Sequence, residues 1–153
     1  MKDLQVTAEL SETDKKLLSL LKENSRRSNA SLAQELGLAQ STCLSRIKAL
    51  RRRGIIRRFT VDVDASALGK SLEALVFVRI RPGARHRMAE LARNIAKAPG
   101  VVQVFFLGGD EDFSVHVQVA DAAEVRDFVV EHLSSDPAVA NTRTSLVFEH
   151  LVS

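Results

Sequence analysis

The feature that most constrains the fold is a break of only two residues between two helical patterns. The first pattern is a short apolar stripe that Gly37 ends, because glycine is the usual residue just past a helix C-terminus. Leu38 and Ala39 alone separate it from the next pattern, which Gly54 ends. The two stripes consist of Leu32, Ala33 and Leu36, and of Cys43, Leu44, Ile47 and Leu50. Two helices joined so tightly indicate a helix-turn-helix unit.

A further helix is predicted before this pair, from about residue 12 to 24. Ser11 and Asp14 are placed to cap its start reciprocally, and Ser28 or Asn29 is placed to cap the second helix. Its apolar residues have helical spacing and are Leu17, Leu18, Leu20 and Leu21. The N-terminal part is therefore predicted to be a three-helix domain.

The third helix can be examined by angle, at about 100° per residue. Short hydroxyl side chains lie near the start of its outward face and cations lie further along, which suits a helix that enters the DNA major groove by its N-terminal end. The candidates for base contact are Gln40, Ser41, Thr42, Ser45 and Arg46. The alternative is a charged face that is merely solvated.

Cations lie late in the third helix and beyond it, where contacts with phosphate are expected. They are Arg51, Arg52, Arg53, Arg57 and Arg58, and Lys48 on the outward face completes the predicted DNA-binding residues. Between them, Ile55 and Ile56 could begin a small strand or wing. Residues 1–60 hold 13 Lys and Arg against 6 Asp and Glu, whereas residues 61–153 hold 9 against 13. This asymmetry predicts a DNA-binding domain at 1–60, a linker or hinge at 61–71 and a separate domain at 72–153.

From residue 72 the pattern changes to strands and helices. Strand-like runs begin at residues 72, 101, 113 and 139, and helical spacing occupies 84–98 and the segment that Asp121 opens with a capping box. The order β-α-β-β-α-β predicts a ferredoxin-like sandwich, so the chain as a whole is an α+β protein.

One face of this sheet should lack a covering layer. Its predicted residues are too apolar for a surface in water, and burying them requires a partner, most simply a second copy of the chain. They are Leu75, Phe77, Val102, Val104 and Phe106. We therefore expect a homodimer, which also presents two DNA-reading helices to a two-fold symmetric site.

The stretch LGGDEDFSVHV, residues 107–117, packs three acids between a glycine pair and an alternating apolar run. Alone, it is compatible with a metal-binding catalytic loop of the kind found in enzymes that make cyclic dinucleotides. Those enzymes need a larger domain, and their glycine pair runs directly into Asp-Glu-Phe, which Asp112 interrupts here. The stretch is therefore interpreted as a hairpin turn that joins the two middle strands.

These motifs, in this order, resemble the leucine-responsive regulatory protein/asparagine-regulator family of bacterial and archaeal transcription factors. Residues 13–60 match the family's N-terminal helix-turn-helix, and Gly109–Phe113 matches its Gly-Asp-x-Asp-aromatic turn. Thr142–Thr144 fits its Thr-x-Thr. Two positions depart from the pattern: Ala39 replaces a capping serine, for which Ser41 or Gln40 could compensate, and Phe113 replaces a tyrosine.

The resemblance implies that the C-terminal domain senses an amino acid or related small molecule and that dimers assemble further, into octamers or similar rings. In the family, the effector lies between neighbouring dimers and contacts the turn. Glycine exposes backbone N–H groups to a carboxylate, and an aspartate can meet an ammonium. Carried over by position, the effector-binding residues are Leu107, Gly109, Asp110, Asp112, Thr142 and Thr144. A plain solvated turn remains the alternative for this segment.

Other functions have weaker support in the sequence. The four histidines are scattered, and neither a phosphate loop nor a nucleophile elbow is present, so no enzyme, cofactor or metal site is expected. No apolar run is long enough for a membrane span and the N-terminus lacks a signal peptide, so a cytoplasmic location is expected. The expected function is sequence-specific transcriptional regulation with amino-acid sensing; the alternative is an effector-independent architectural DNA-binding protein.

Overall fold

The chain forms two compact units in the computed structural model, which describes residues 9–151. One unit ends at Asp62 and the other begins at Val63, and each has its own apolar core. The division falls inside the segment predicted as a linker, where a short 3₁₀ turn spans Ala65–Leu68. Residues 1–8 and 152–153, which complete the two predicted domains, lie outside the described residues.

The first unit consists of three helices, as predicted. They are α1 (Glu12–Glu23), α2 (Asn29–Leu36) and α3 (Gln40–Arg52). Ser11 and Ser28 cap α1 and α2, each accepting a hydrogen bond at 3.1 Å from the backbone N–H three residues later. Gly37 ends α2 with φ 65°, a left-handed conformation that favours glycine. The fully buried side chains between the helices are Leu17, Leu32, Cys43 and Leu50.

One prediction in this unit is wrong. Leu44 was expected on the inward face of α3, yet it is 43% exposed because it lies about 100° around the helix from Cys43. By sequence alone, Ile55 and Ile56 could begin a small strand or wing, but no strand lies between Arg53 and Asp64. Both isoleucines instead donate backbone N–H bonds to Leu50 O and pack on the helical core.

The second unit has the predicted β-α-β-β-α-β order and a ferredoxin-like fold. Its four antiparallel strands are arranged β2-β3-β1-β4. The elements are β1 (Leu72–Ile80), α4 (Met88–Ile95), β2 (Val101–Phe106), β3 (Phe113–Val119), α5 (Ala122–Val129) and β4 (Val139–Val147). The predicted start of α4 is a 3₁₀ turn, Pro82–Arg87, and α5 continues into a π-helical turn, Val130–Ser134.

Alternate residues of β1 and β3 face the two helices and form the core. On β3, Phe113, Val115, Val117 and Val119 are buried, which confirms the predicted alternation. From β1 the core receives Ala74, Val76, Val78 and Ile80, and from the helices Leu91, Ile95, Val125 and Phe128.

The opposite side of the sheet, here called the open face, is less apolar than predicted. Leu75 and Phe77 lie on it, but Val104 and Phe106 do not, because they pair with the core-facing Val115 and Phe113. A bulge at Val102 shifts the register of β2 by one residue and so reverses its two faces. Gln103 and Phe105 occupy the open face instead.

Candidate DNA-binding surface and effector turn

The turn of the helix-turn-helix is held by a side chain that the sequence offered only as a possible helix cap. Asn29, the first residue of α2, donates from Nδ2 to Gln40 O at 2.8 Å. This bond ties the first residue of α2 to the first residue of α3. An asparagine at a helix start looks like a cap in the sequence, so its contact across the turn has no local signal.

The first turns of α3 present small polar side chains to solvent. Ala39 is the N-cap residue and makes no side-chain capping bond, and the compensation expected from Ser41 or Gln40 is not among the described hydrogen bonds. The exposed side chains are Gln40, Ser41, Thr42 and Ser45. This face can approach a groove closely because no bulky side chain projects from it except Leu44.

Arg46, predicted beside these residues, lies elsewhere. Its Nη1 is 2.9 Å from Asp14 Oδ1 and 3.4 Å from Ser11 Oγ, at the start of α1. Burial would raise the pKa of Asp14, but the hydrogen bonds from Ser11 and Arg46, with the charges of Arg46 and Arg53, hold the pKa below its ordinary value. The reciprocal cap predicted between Ser11 and Asp14 is therefore only half right, because Asp14 uses its carboxylate to hold Arg46.

The later part of α3 and the residues after it form a cationic surface. Lys48, Arg51, Arg52, Ile56 and Arg57 line a concavity of about 420 Å³. Among residues 9–151, no carboxylate forms an ion pair with Lys48, Arg52, Arg57 or Arg58. Arg51 lies over the ring of Phe59 at 5.9 Å. Unpaired, exposed cations of this kind are available to phosphate.

The turn between β2 and β3 spans residues 107–112 and is exposed at its tip. Gly109 has φ 128°, a conformation that glycine tolerates and other residues rarely adopt, and the residue is exposed. Leu107 is 39% exposed and closes the turn by donating its N–H to Asp112 O at 3.0 Å.

The three acids of the turn have different surroundings. Asp112 accepts the Ile80 N–H at Oδ2, 2.7 Å away, so its carboxylate fastens the turn to β1. Glu111 pairs with Arg143 on β4 at 3.1 Å. Asp110 accepts a bond from Arg79 Nε at its backbone oxygen, and its carboxylate takes part in no hydrogen bond or ion pair with a described residue. Within residues 9–151, no three His, Cys, Asp or Glu side chains form a group that could hold a metal.

Thr142 and Thr144 lie on β4, at the opposite edge of the sheet from β2. They pair with Val78 and Val76 on β1, and Arg143 between them contacts Glu111 of the turn. Thr144 lines an apolar groove of about 300 Å³ between β4 and α5. Among the described hydrogen bonds and ion pairs, none joins either threonine to Asp110. Phe113 is fully buried and adds nothing to the exposed turn.

The open face carries a polar network that sequence reasoning did not find. His116, 6% exposed, lies with Nε2 2.7 Å from Glu73 Oε2, and Gln118 donates to Glu73 Oε1 at 2.7 Å. Burial raises the pKa of Glu73, but these bonds and the charges of His116 and His150 leave it lowered. His116 lies between Val115 and Val117 on β3 and therefore on the opposite face of the strand, but only the pairing of β3 with β1 places it beside Glu73.

Comparison with known proteins agrees with both halves of this geometry. A winged helix-turn-helix DNA-binding model matches residues 10–57, and the Lrp/AsnC ligand binding domain matches residues 73–153. The chain belongs to the Lrp/AsnC family. The family of transcriptional regulators predicted from the sequence is thereby confirmed, and the chain is a DNA-binding transcriptional regulator with a ligand-binding domain.

Individual Lrp/AsnC relatives match nearly the full chain. The HTH-type transcriptional regulator AldR of Mycobacterium tuberculosis is 42% identical, over 94% of this chain and 80% of the relative. The transcriptional regulator AzlB of Bacillus subtilis is 35% identical, over 90% and 88%. A Neisseria meningitidis regulator solved as an L-Met complex is 31% identical, with TM-score 0.83 over 95% of this chain and 94% of the other. Within residues 9–151, no helix combines the length and apolar character that crossing a membrane requires.

Proposed function

We propose that this Lrp/AsnC regulator binds a specific DNA sequence with α3 lying in the major groove. Short polar side chains at the start of α3 contact bases, and the cations further along contact phosphate. The observation that carries this proposal is the exposed surface of Lys48, Arg52, Arg57 and Arg58, which no described carboxylate neutralises. Arg51 and Arg53 add to the same positive end of the helix. The place of action is then the cytoplasm, where a bacterial or archaeal chromosome lies.

Selection of duplexes from a random-sequence pool by the full-length chain tests this proposal. The enriched duplex is then competed with random duplex at increasing salt. A sequence-reading regulator keeps its preference for the enriched duplex as salt rises. Equal loss of both duplexes would instead indicate an effector-independent architectural protein, which holds DNA through phosphate alone.

We also propose that the turn at residues 107–112 contacts an amino acid or a related small molecule. Asp110 is the acid with a carboxylate free to meet an ammonium, and the open backbone at Gly109 can meet a carboxylate. Asp112 holds the turn to β1 through its bond with the Ile80 N–H, and Leu107 closes the turn through its backbone bond to Asp112. The L-Met complex of the Neisseria relative supports this class of effector. Thr142 and Thr144 would contribute from a neighbouring copy of the chain.

A thermal-shift screen of the amino acids at saturating concentration tests the sensing proposal. A ligand of the folded state raises the melting temperature with concentration. Each amino acid that does so is then added to the DNA titration. Stabilisation by none of them, with unchanged DNA affinity throughout, would leave the turn as a plain hairpin.

We propose that the functional unit is a homodimer formed by the open faces, with dimers assembling further into octamers. Leu75, Phe77 and Phe105 on that face are apolar and accessible, with Phe105 43% exposed. Exposed Val130 and Leu146 beside the groove of α5 and β4 offer a second apolar contact. Light scattering on the eluting protein tests this, and a strict monomer at micromolar concentration would contradict it.

A further inference from the structure

Arg46 on α3 is held against α1 instead of projecting with its neighbours. Its Nη1 contacts Asp14 Oδ1 at 2.9 Å and Ser11 Oγ at 3.4 Å, and the Asp14 side chain is only 13% exposed. The Nε atom of Arg46 is buried and has no hydrogen-bond partner among the described residues. An arginine side chain that extended into solvent to contact a base edge would expose its Nε atom. Arg46 therefore lies along the contact between the two helices.

Releasing Arg46 toward DNA would be unfavourable for its partner. Asp14 would lose its ion pair with Arg46 while remaining buried, and of the charges that lower its pKa only that of Arg53 would remain. Removing one partner of a buried ion pair is strongly destabilising. Asp14 also stands in the first turn of α1, where the helix dipole favours a negative charge. Both effects hold the carboxylate ionised and in place, so the guanidinium stays with it.

We infer that Arg46 is a positioning residue: with Asp14, it fixes how α3 is turned about its own axis, so that Gln40, Ser41, Thr42 and Ser45 face outward. The inference rests on the proposed reading of DNA by α3. A second tie, from Asn29 to Gln40 O, holds the start of α3 against α2. The hydrogen bond from Asn29 fixes the position of the start of α3. The ion pair of Arg46 with Asp14 fixes the rotation of α3 about its axis at the middle of the helix. Together they orient a helix whose outer side chains are too short to compensate for a wrong angle.

The test is a double-mutant cycle on the full-length chain. Arg46→Ala, Asp14→Ala and the double variant are titrated against the duplex that the wild type enriches from a random pool. Each single variant is expected to weaken binding about tenfold, the scale of one charge-assisted hydrogen bond, and the double variant no more than either. Lys48→Ala, which removes an exposed cation from the same helix, serves as the control. Its effect on the free energy of DNA binding is expected to add to that of Asp14→Ala.

The signs of the charge changes separate positioning from direct contact. Arg46→Ala removes a positive charge and Asp14→Ala removes a negative one, so a simple attraction to phosphate would move their DNA affinities in opposite directions. Positioning moves both in the same direction. If Arg46 reads a base, Arg46→Ala relaxes discrimination at one base pair in a panel of single-base changes, while Asp14→Ala leaves affinity unchanged or raises it. That result would overturn the inference.

Folding and the proposed function are checked separately. Far-UV circular dichroism confirms that each variant is folded at the temperature of the titration. If an alanine variant is unfolded, Arg46→Gln and Asp14→Asn, which remove the charges but keep polar side chains, replace the alanine variants in the cycle, and equal and non-additive losses are again expected. A wild-type chain that enriches no sequence contradicts DNA reading itself, whereas an enriched duplex with additive variants contradicts only the role of Arg46.

Discussion

Arg143 lies over the ring of Phe77, with its guanidinium carbon 4.1 Å from the ring centroid. The same guanidinium donates to Glu111 Oε1 in the turn between β2 and β3. Arg79 makes a second link from β1 to the turn, through Asp110 O. The proposed effector turn and the open face are therefore joined through two arginines on neighbouring strands.

Arg143→Ala is expected to weaken dimerisation, because it removes the cation over Phe77 and the support of Glu111 from the same face. A cation over an aromatic ring contributes about 0.5–2 kcal/mol when it is partly desolvated. Losing this contact is therefore expected to raise the dimer dissociation constant several-fold. Sedimentation equilibrium measures that constant. Arg93→Ala is the matched control, since Arg93 on α4 is exposed and lies in neither of the two proposed apolar contacts. Equal effects of the two variants would place the dimer contact elsewhere.

Asp112→Ala and Asp110→Ala are expected to separate support of the turn from ligand contact. Removing the Asp112 carboxylate leaves the Ile80 N–H without its acceptor and lowers the free energy of unfolding by about 1–3 kcal/mol. Asp110→Ala should change stability by less than about 0.5 kcal/mol and leave basal DNA binding intact, but blunt any effector response. Urea unfolding followed by circular dichroism suits a chain without Trp or Tyr. A large loss of stability in Asp110→Ala would mean that this acid supports the turn instead.

Most of the fold could be predicted because its signals are local. Ser11, Ser28 and Asp121 mark helix starts by their own capping bonds, and the alternation on β3 follows from one strand alone. The bulge at Val102 could not be predicted, because it depends on how β2 pairs with β3. One extra residue there exchanged the two faces of β2 and made the predicted dimer surface half wrong.

The candidate site shows the same division between local and distant information. The exposed cations after α3 follow from helical angles within one segment. The contact of Arg46 with Asp14 joins residues that are far apart in the chain, and angle alone placed Arg46 among the base readers. The turn acids look equivalent in sequence, yet Asp112, Glu111 and Asp110 differ because β1 and β4 pass beside two of them.

Lowering the pH is expected to reduce the stability of the wild type more than it reduces the stability of the Asp14→Asn variant. The pKa of Asp14 is lowered in the folded chain, so its contribution to stability is complete above the ordinary pKa of about 4 and is lost as the pH falls through the folded pKa. Thermal melts from pH 7 down to pH 3 measure this difference. Glu73 also has a lowered pKa and titrates in both proteins, so only the difference between them reports on Asp14. Parallel curves would mean that Asp14 is not held by Arg46 in solution.

Arg52→Ala and Arg57→Ala are expected to weaken binding to enriched and random duplexes by the same factor, because both arginines line the exposed concavity where phosphate contacts are proposed. Each lost phosphate contact should reduce the slope of log affinity against log salt by about 0.9. Ser45→Ala, at the start of the same helix face, should keep the slope and change the preference among single-base variants instead. Fluorescence anisotropy across a salt series measures both quantities. A change of base preference in Arg57→Ala, with an unchanged slope, would show that the helix enters the groove by its other end.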